Sequence, residues 1–414
     1  MDLTGKQWAI DARPTKMSEV HGCAMLKDFV STHTKDDKWP RGILLMGKYG
    51  TGKTTTARII AMTMVCQHKD ADGNPCGECP DCKAILEDKF TRDVKVIGAD
   101  TLNADGKYAS QVEAVKALVE KSKEQPFWGK RKVIIFEEIQ ELLKSQGAID
   151  ALLRELERPD AKTNWIFTSM DEIGTNSTNV ETELNGSKTR KAGAAGFVSR
   201  CNLFKFSDLS VSDLMKYIHD FAVANEYQGE NLWKWMIANG GKDFCLEGVK
   251  AMAEGAVGSI RNATRILQQC IETKTFDPSA IGRMFGFIPE TKVLDVTLSI
   301  ATNAKTDDAF MQLASITKDN YVTVYQIMMS EIRRAEMVRV FGRIGTTKVK
   351  KDGSEELKIT DANTDGGERA SFNRATKLSQ GVNYQKLKDA IFKLNTDGFF
   401  TKDLFISKLL DCYS

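Results

Sequence analysis

Gly47-Lys48-Tyr49-Gly50-Thr51-Gly52-Lys53-Thr54 is the stretch on which the fold turns. Just before it, Ile43 to Met46 is a short apolar run of the kind a buried parallel strand uses. Just after it, Gly52 to about Val65 reads as helix. G-x-x-x-x-G-K-[ST] between a strand and a helix is a phosphate-binding loop. Its glycines let the backbone wrap closely around phosphate oxygens and aim N–H groups at them. The helix N-terminus adds a field that favours anions. Lys53 neutralises the outer phosphates, and Thr54 offers a hydroxyl to Mg²⁺. Gly47, Gly50, Thr51, Gly52, Lys53, Thr54 and Thr55 are the candidate phosphate contacts.

Working outward, Val94–Ile97, Val133–Phe136, Trp165–Ser169 and Leu203–Phe206 read as further strands. Helical patterns lie between them. Val112, Val115 and Leu118 share one face. Ile149, Leu152, Leu153 and Leu156 fall at i, i+3, i+4 and i+7, behind Ser145 as a predicted cap and ending at Pro159. Strands alternating with helices predict an α/β fold with a parallel sheet covered on both faces. Glu137 and Glu138 follow the most apolar strand, at the carboxyl edge of the sheet, where ligands bind. One carboxylate can hold Mg²⁺, usually through water; the other can orient and activate a water. Hydrolysis of a bound nucleotide is the chemistry this suggests.

The chain has 414 residues, which suggests two to three domains. Hydrophobic residues make up 42%, enough for real cores, which excludes wholesale disorder. Lys and Arg number 58 against 56 acids, a net charge of +2, so no strong overall field draws the chain to nucleic acid or membrane. No apolar run approaches the length of a membrane span, and Met1-Asp2-Leu3-Thr4-Gly5-Lys6 lacks an export pattern. A cytoplasmic, soluble protein is the expectation.

Cys66, Cys76, Cys79 and Cys82 give C-x9-C-x2-C-x2-C. Thiolates at this spacing suit a tetrahedral zinc with no position left for water, hence a structural site. An iron–sulfur cluster uses the same ligand type. His68, in the long spacer, is read as a bystander. Cys23, Cys201, Cys245, Cys270 and Cys412 are read as buried small hydrophobes.

After Phe206 the pattern becomes helical. Ser210 to about Lys274 forms a small helical domain, with Leu214, Tyr217, Ile218 and Phe221 on one face. Thr275–Pro289, marked by prolines and glycines, reads as a linker. From Thr291 onward helices return, with Tyr325, Met328, Met329 and Ile332 in one stripe and Leu387, Ala390, Ile391 and Leu394 in another. Gly342–Arg369 reads as a polar loop or hairpin, and Gly174–Gly196 as a polar interruption of the first domain. Lys348, Lys350 and Lys351 form a basic cluster to which no role is assigned.

A phosphate loop, then four cysteines at the end of its helix, an acidic pair after a strand and Val198-Ser199-Arg200-Cys201 make an unusual order. It resembles the tau/gamma ATPase subunits of bacterial clamp loaders, within the AAA+ proteins, from about Arg13 to Leu267. Arg13-Pro14 and Val20-His21-Gly22 are similar to the family's markers near the adenine pocket. Ile149 to Pro159 is similar to the helix that follows its acidic pair. The resemblance implies a AAA+ core with an inserted zinc module over 1–206, a helical lid over 207–276 and an all-helical collar over 290–414. It also implies roles: Arg13, Pro14 and Val20 near the nucleotide, Lys53 and Thr54 on phosphate and Mg²⁺, Glu138 as the catalytic carboxylate. Arg200 would be a finger reaching the neighbouring subunit's phosphate, and Arg261, in Gly258-Ser259-Ile260-Arg261-Asn262, a sensor of the chain's own nucleotide.

ATP, Mg²⁺ and structural Zn²⁺ are the implied cofactors. The implied partners are a sliding clamp, primer–template DNA and other loader subunits in a ring or spiral, expected to be pentameric, with no membrane. The implied function is opening the clamp and loading it onto DNA during replication. Alternatives are a non-hydrolysing structural subunit of the same loader, or another AAA+ DNA motor such as a branch-migration helicase. Three departures stand out. Glu137 occupies the usual place of a metal-site aspartate. Phe167-Thr168-Ser169-Met170-Asp171 leaves the phosphate-sensing position open between Ser169 and Met170. Gly174–Gly196 is long for the connection it makes. A divergent relative, such as a bacteriophage member, would carry such departures.

Overall fold

The computed structural model describes residues 1–87, 93–98, 101–103, 105–127, 131–159, 162–170, 173, 188–240, 242–304, 321–341, 343–349, 355–360, 367–396 and 402–412. They divide into two compact units, 1–239 with 256–271, and 240–255 with 272–414.

The first unit opens with α1 (Trp8–Asp11) and α2 (Ala24–Asp36), then β1 (Gly42–Gly47), α3 (Lys53–Val65) and α4 (Pro80–Leu86). β2 (Val94–Gly98), α5 (Gln111–Ser122), β3 (Lys132–Glu137), α6 (Gln146–Glu157), β4 (Thr163–Ser169), α7 (Lys188–Ser199) and β5 (Asn202–Phe206) follow. The strands form one parallel sheet in the order β2-β3-β4-β1-β5. The sheet residues sort by alternation. Ile43, Leu45, Val133, Ile135 and Ile166 pack on the α2–α3–α4 side. Leu44, Met46, Ile134, Phe136, Trp165 and Phe167 pack on the α5–α6–α7 side. Burial on both faces is why these strands read as continuous apolar runs. From β1 the chain crosses to the far edge at β2 and returns through β3 and β4. The crevice beside β1, at the carboxyl edge, is therefore the switch point where open α/β sheets bind ligands.

α3 is buried almost throughout, from Thr56 and Ala57 to Val65, as a helix between a sheet and its neighbours must be. α5 is capped by Ser110, whose hydroxyl accepts from the Glu113 N–H at 3.2 Å. Ser145 stands at the N-cap of α6, but its hydroxyl makes no capping bond. The chain arrives there from a 3-10 turn, Ile139–Lys144, and Ser145 is tied in by its own N–H to the Leu142 carbonyl at 2.9 Å. The unit closes with α8 (Val211–Ala224), a short ribbon of β6 (Glu226–Tyr227) and β7 (Glu230–Asn231), and α9 (Leu232–Gly240). α10 (Lys242–Gly255) belongs mainly to the second unit; α11 (Ile260–Glu272) returns to the first.

The second unit contains α12 (Pro278–Phe285), α13 (Glu290–Thr302), α14 (Tyr321–Phe341), β8 (Ile344–Val349), β9 (Glu355–Thr360), α15 (Gly367–Ser379), α16 (Tyr384–Thr396) and α17 (Lys402–Asp411). Its core joins Val293, Ile300, Met328, Ile332, Leu387, Ile391 and Phe405. Three sequence expectations change. Thr275–Pro289 is not a bare linker. Asp277 caps a helix by accepting the Ala280 N–H at 2.7 Å, Pro278 sits in its first turn, and Gly286 ends it at φ +77°. Proline first and glycine last are helix punctuation as much as linker composition. Within Gly174–Gly196, the part from Lys188 is helical; 174–187 lie outside the described residues. The C-terminal region is not wholly helical, because β8 and β9 pair as an antiparallel hairpin, one of the two forms expected for Gly342–Arg369. Lys350 and Lys351 lie outside the described residues.

Candidate nucleotide site and cysteine cluster

The loop between β1 and α3 closes tightly on itself. Gly47 has φ +152°, and a Cβ there would come within 2.2 Å of the Phe206 carbonyl. Gly50 has φ +78°, and its Cβ would meet the Ser259 hydroxyl at 2.1 Å. Only glycine fits either place. Thr51 donates its hydroxyl to the Lys48 carbonyl at 2.8 Å. The Lys53 ammonium donates to the Gly47 and Lys48 carbonyls, both at 2.6 Å. Burial is the main cause that brings Lys53 down to about 8, the Arg261 charge adds to it and Glu138 opposes it. A buried ammonium bonded only to carbonyls gains from any anion brought to it.

Lys53 opens into a cleft. Its lining joins Gly50, Gly52, Thr54, Thr55, Glu138, Thr168 and Met170 to a more apolar set, Trp8, Ala9, Ala12, Arg13, Pro14, Tyr217, Ile260 and Thr264, with Tyr49 and Arg261 also on the wall. The apolar part is rigidly built. Trp8 stacks on Phe221 with centroids 6.0 Å apart, and Tyr217 and Thr264 share a hydroxyl hydrogen bond of 2.7 Å. Burial pushes the Tyr217 phenol up to about 12, so it stays neutral. A flat apolar base fits this end and a polyanion the other.

The residues singled out in the sequence take different places. Arg13, Pro14, Gly50, Gly52, Lys53, Thr54, Thr55, Glu138 and Arg261 share the cleft. Val20 packs in the core on the α3 side. Thr51 is buried inside the loop. Glu137 ends β3, its carboxylate 3.8 Å from the Arg58 guanidinium. Arg200 lies apart from the cleft lining. Its Nε donates to Glu157 at 2.7 Å, a second nitrogen reaches the same oxygen, and Nη1 donates to the Gly196 carbonyl at 2.8 Å.

Several features of these residues escaped the sequence reading. Glu138 adopts a left-handed backbone, φ +57°, which is costly for a residue with a side chain. Its N–H donates to the Thr168 hydroxyl at 3.2 Å. Of the phosphate-sensing candidates, Ser169 is fully buried and Met170 reaches the cleft. The Lys48 ammonium is bonded to Asp208. No local sequence signal marked these pairings, because the partners lie far away in sequence.

The Cys66, Cys76, Cys79 and Cys82 sulfurs all lie within 4.8 Å of one another. Tetrahedral bonds of about 2.3 Å to zinc would set sulfurs about 3.8 Å apart, so a small closure suffices. Cys66 ends α3, and Cys79 precedes α4 with Pro80 in the first turn. The pair Pro80-Asp81 thus starts a helix. Amides point at sulfur: Cys76 N–H to Cys66 at 3.3 Å, and Glu78 and Cys79 N–H to Cys76 at 3.4 and 3.3 Å. Burial raises the Cys76 thiol, but the Cys79 and Glu78 amides, with side-chain bonds to Cys66 and Cys79, outweigh it and bring it to about 7. Burial pushes Cys79 and Cys82 up, and a divalent cation would be needed to hold all four as thiolates. His68 is exposed and outside the cluster. Cys270 and Cys412 are buried, Cys23 and Cys201 half-buried; the Cys245 side chain lies outside the described residues.

Comparison with known proteins adds the following. Residues 24–178 match the family model described as DNA polymerase III, delta subunit. The chain is 23% identical over 290 residues to the Haemophilus influenzae DNA polymerase III subunit tau/gamma, covering 70% of this chain and 36% of that protein. It is 25% identical over 292 residues to a Buchnera aphidicola DNA polymerase III subunit gamma, covering 70% and 67%. Against Bacillus subtilis subunit tau the identity is 25%, covering 63% of this chain and 38% of the relative. The chain thus spans little more than a third of the length of the Haemophilus and Bacillus relatives. Among solved structures, the Aeropyrum pernix ORC1 protein in complex with DNA aligns at 15% identity with a TM-score of 0.40, covering 89% and 95% of the two chains. No described helix is long and apolar enough to cross a membrane.

Proposed function

We propose, from its similarity to the AAA+ clamp-loader subunits of the DNA polymerase III tau/gamma family, that this chain is the ATP-hydrolysing subunit of a replicative clamp loader. The observation that carries the reading is the shared cleft: a glycine loop with Lys53 inside it, faced by Glu138 and Arg261. In this reading the base lies between Trp8, Pro14 and Ile260, and the phosphates lie on the loop amides and Lys53. Thr54 and, through water, Glu137 would hold Mg²⁺, which would supply charge neutralisation between the phosphates. Glu138 orients and deprotonates the attacking water, its backbone fixed by Thr168. Zinc, held by the four cysteines, would lock α3 to α4. Residues 207–276 act as the lid and 290–414 as the collar of a ring or spiral.

Arg200 does not line its own cleft, which supports a role toward a neighbouring subunit's nucleotide. A guanidinium supplied in trans is worth about 10³–10⁵ in rate where it operates. ATP binding would order the subunits, open a sliding clamp and admit primer–template DNA; hydrolysis would release the clamp. With +2 overall, DNA contact would come from an assembled surface and go to the backbone. One observation favours a second reading, a subunit that binds ATP without turning it over: Glu137 faces Arg58. The separating experiment is ATP hydrolysis with and without primer–template and candidate clamps. Arg200→Ala is expected to keep ATP binding while losing DNA-stimulated hydrolysis. Hydrolysis that never responds to DNA or clamp sinks the loader reading.

A further inference from the structure

Arg261 does not reach the cleft unaided. Its backbone N–H donates to the Gly50 carbonyl at 3.3 Å, and its guanidinium lies over the Tyr49 ring, 4.5 Å from the centroid. The same guanidinium donates through Nη1 to the Tyr49 hydroxyl. Tyr49 stands in the phosphate loop itself and lines the cleft. The loop is held at two further points: Lys48 pairs with Asp208, and the Ser259 hydroxyl, just before Arg261, donates to the Gly50 carbonyl at 3.4 Å. We propose that Tyr49 is the positioning residue for Arg261, a ring-and-hydroxyl rest that holds the guanidinium at the outer-phosphate end of the cleft before nucleotide arrives.

The physical argument is one of like charges. Arg261 and Lys53 sit near enough that the arginine's charge depresses the lysine. Two cations in one cleft repel, and a flexible arginine would swing toward water unless something held it. An aromatic face attracts a guanidinium through its ring quadrupole, and the hydroxyl fixes the orientation. The arrangement leaves a cation pair whose cost is removed by a ligand with enough negative charge. A triphosphate answers that better than a diphosphate, because its terminal group adds charge where Arg261 waits. Tyr49 would thus set discrimination between ATP and ADP without touching the reacting atoms.

The inference rests on the proposed role of Arg261 in the nucleotide site, and the test keeps the two apart. Dissociation constants for ATP and ADP are measured on the full chain for wild type, Arg261→Ala, Tyr49→Ala, Tyr49→Phe and Tyr49→Ala/Arg261→Ala. Arg261→Ala is expected to lower the ATP-over-ADP preference by about tenfold. Tyr49→Ala should lower it nearly as far with ADP affinity little changed, Tyr49→Phe should keep most of it, and the double variant should add nothing to either single one. An unchanged preference in Arg261→Ala overturns the arginine's role itself. A normal Arg261 effect with an unchanged preference in Tyr49→Ala, an equal loss for ATP and ADP in that variant, or additive losses in the double variant overturns the role of Tyr49.

Discussion

The two ends of α3 solve the same problem by different means. At Lys53 the helix meets a glycine loop that, in the proposed function, receives an anion from solution. At Cys66 it meets a cluster of thiols that need a cation to become an anion. Both ends use backbone N–H groups. Around the glycine loop they can turn to phosphate, and around Cys76 they are already spent on sulfur. The helix dipole helps only the first: its N-terminus favours phosphate, while its C-terminus disfavours a four-thiolate site with a net negative charge. The second end is rescued by α4, which starts at Pro80 so that its own N-terminus faces the cluster. On the proposed function, a reversible nucleotide would be given a preformed, permanently polar seat, whereas a structural zinc would be given ligands that fold around it.

The largest effect should come from breaking the first end alone. Lys53→Ala removes the buried ammonium and leaves every cysteine in place. ATP hydrolysis and ATP-dependent clamp loading are expected to fall by about 10²-fold or more, with zinc content unchanged. Clamp loading at the wild-type rate would end the ATPase reading. Loss of zinc in this variant would instead show that the two ends of α3 are one cooperative unit.

Breaking the second end should cost stability more than chemistry. Metal analysis should find about one zinc per wild-type chain, and Cys79→Ser should lose it. The melting temperature is expected to fall by about 5–10 °C, corresponding to a few kcal/mol in a unit of this size. ATP affinity should fall by a smaller factor, since α3 is also held by the sheet and by α2. A folded wild-type protein without metal contradicts the module, and iron with sulfide in place of zinc would reassign it.

How far these two ends could be read from sequence differs in an instructive way. The loop, the five strands and the cysteine spacing are local patterns, and local patterns survive translation into structure. Pro278 and Gly286 are local too, yet they mislead, because the residues that begin and end helices also compose linkers. What no local pattern carries is pairing across distance. Arg200 with Glu157, Arg261 with Tyr49 and Glu138 with Thr168 each join separate elements, and only the folded chain brings them together. The left-handed turn at Glu138 is equally silent, since a glutamate does not advertise a positive φ as glycine does.

The finest test sets the two ends against each other by pH. Burial holds Lys53 at about 8, below its ordinary 10.5. The folded chain therefore binds fewer protons than the unfolded one between those values. The stability cost of burying the charge is fully present below pH 8 and fades toward 10.5. In the proposed site, ATP would bind the protonated form. Below pH 8 the proton is already there; above it, binding must take one up from solvent, and affinity should decline by up to about tenfold per pH unit until the lysine's value in the complex is reached. The cysteine end has the opposite sign. Metal binds thiolates, so acid releases it and alkali does not. ATP affinity measured from pH 7 to 9 should fall while zinc stays bound, and zinc should be lost below about pH 5. The Lys53→Ala chain, assayed at high ATP, should show no alkaline decline. A decline that survives in Lys53→Ala would move the titrating group away from the loop and remove the contrast between the ends.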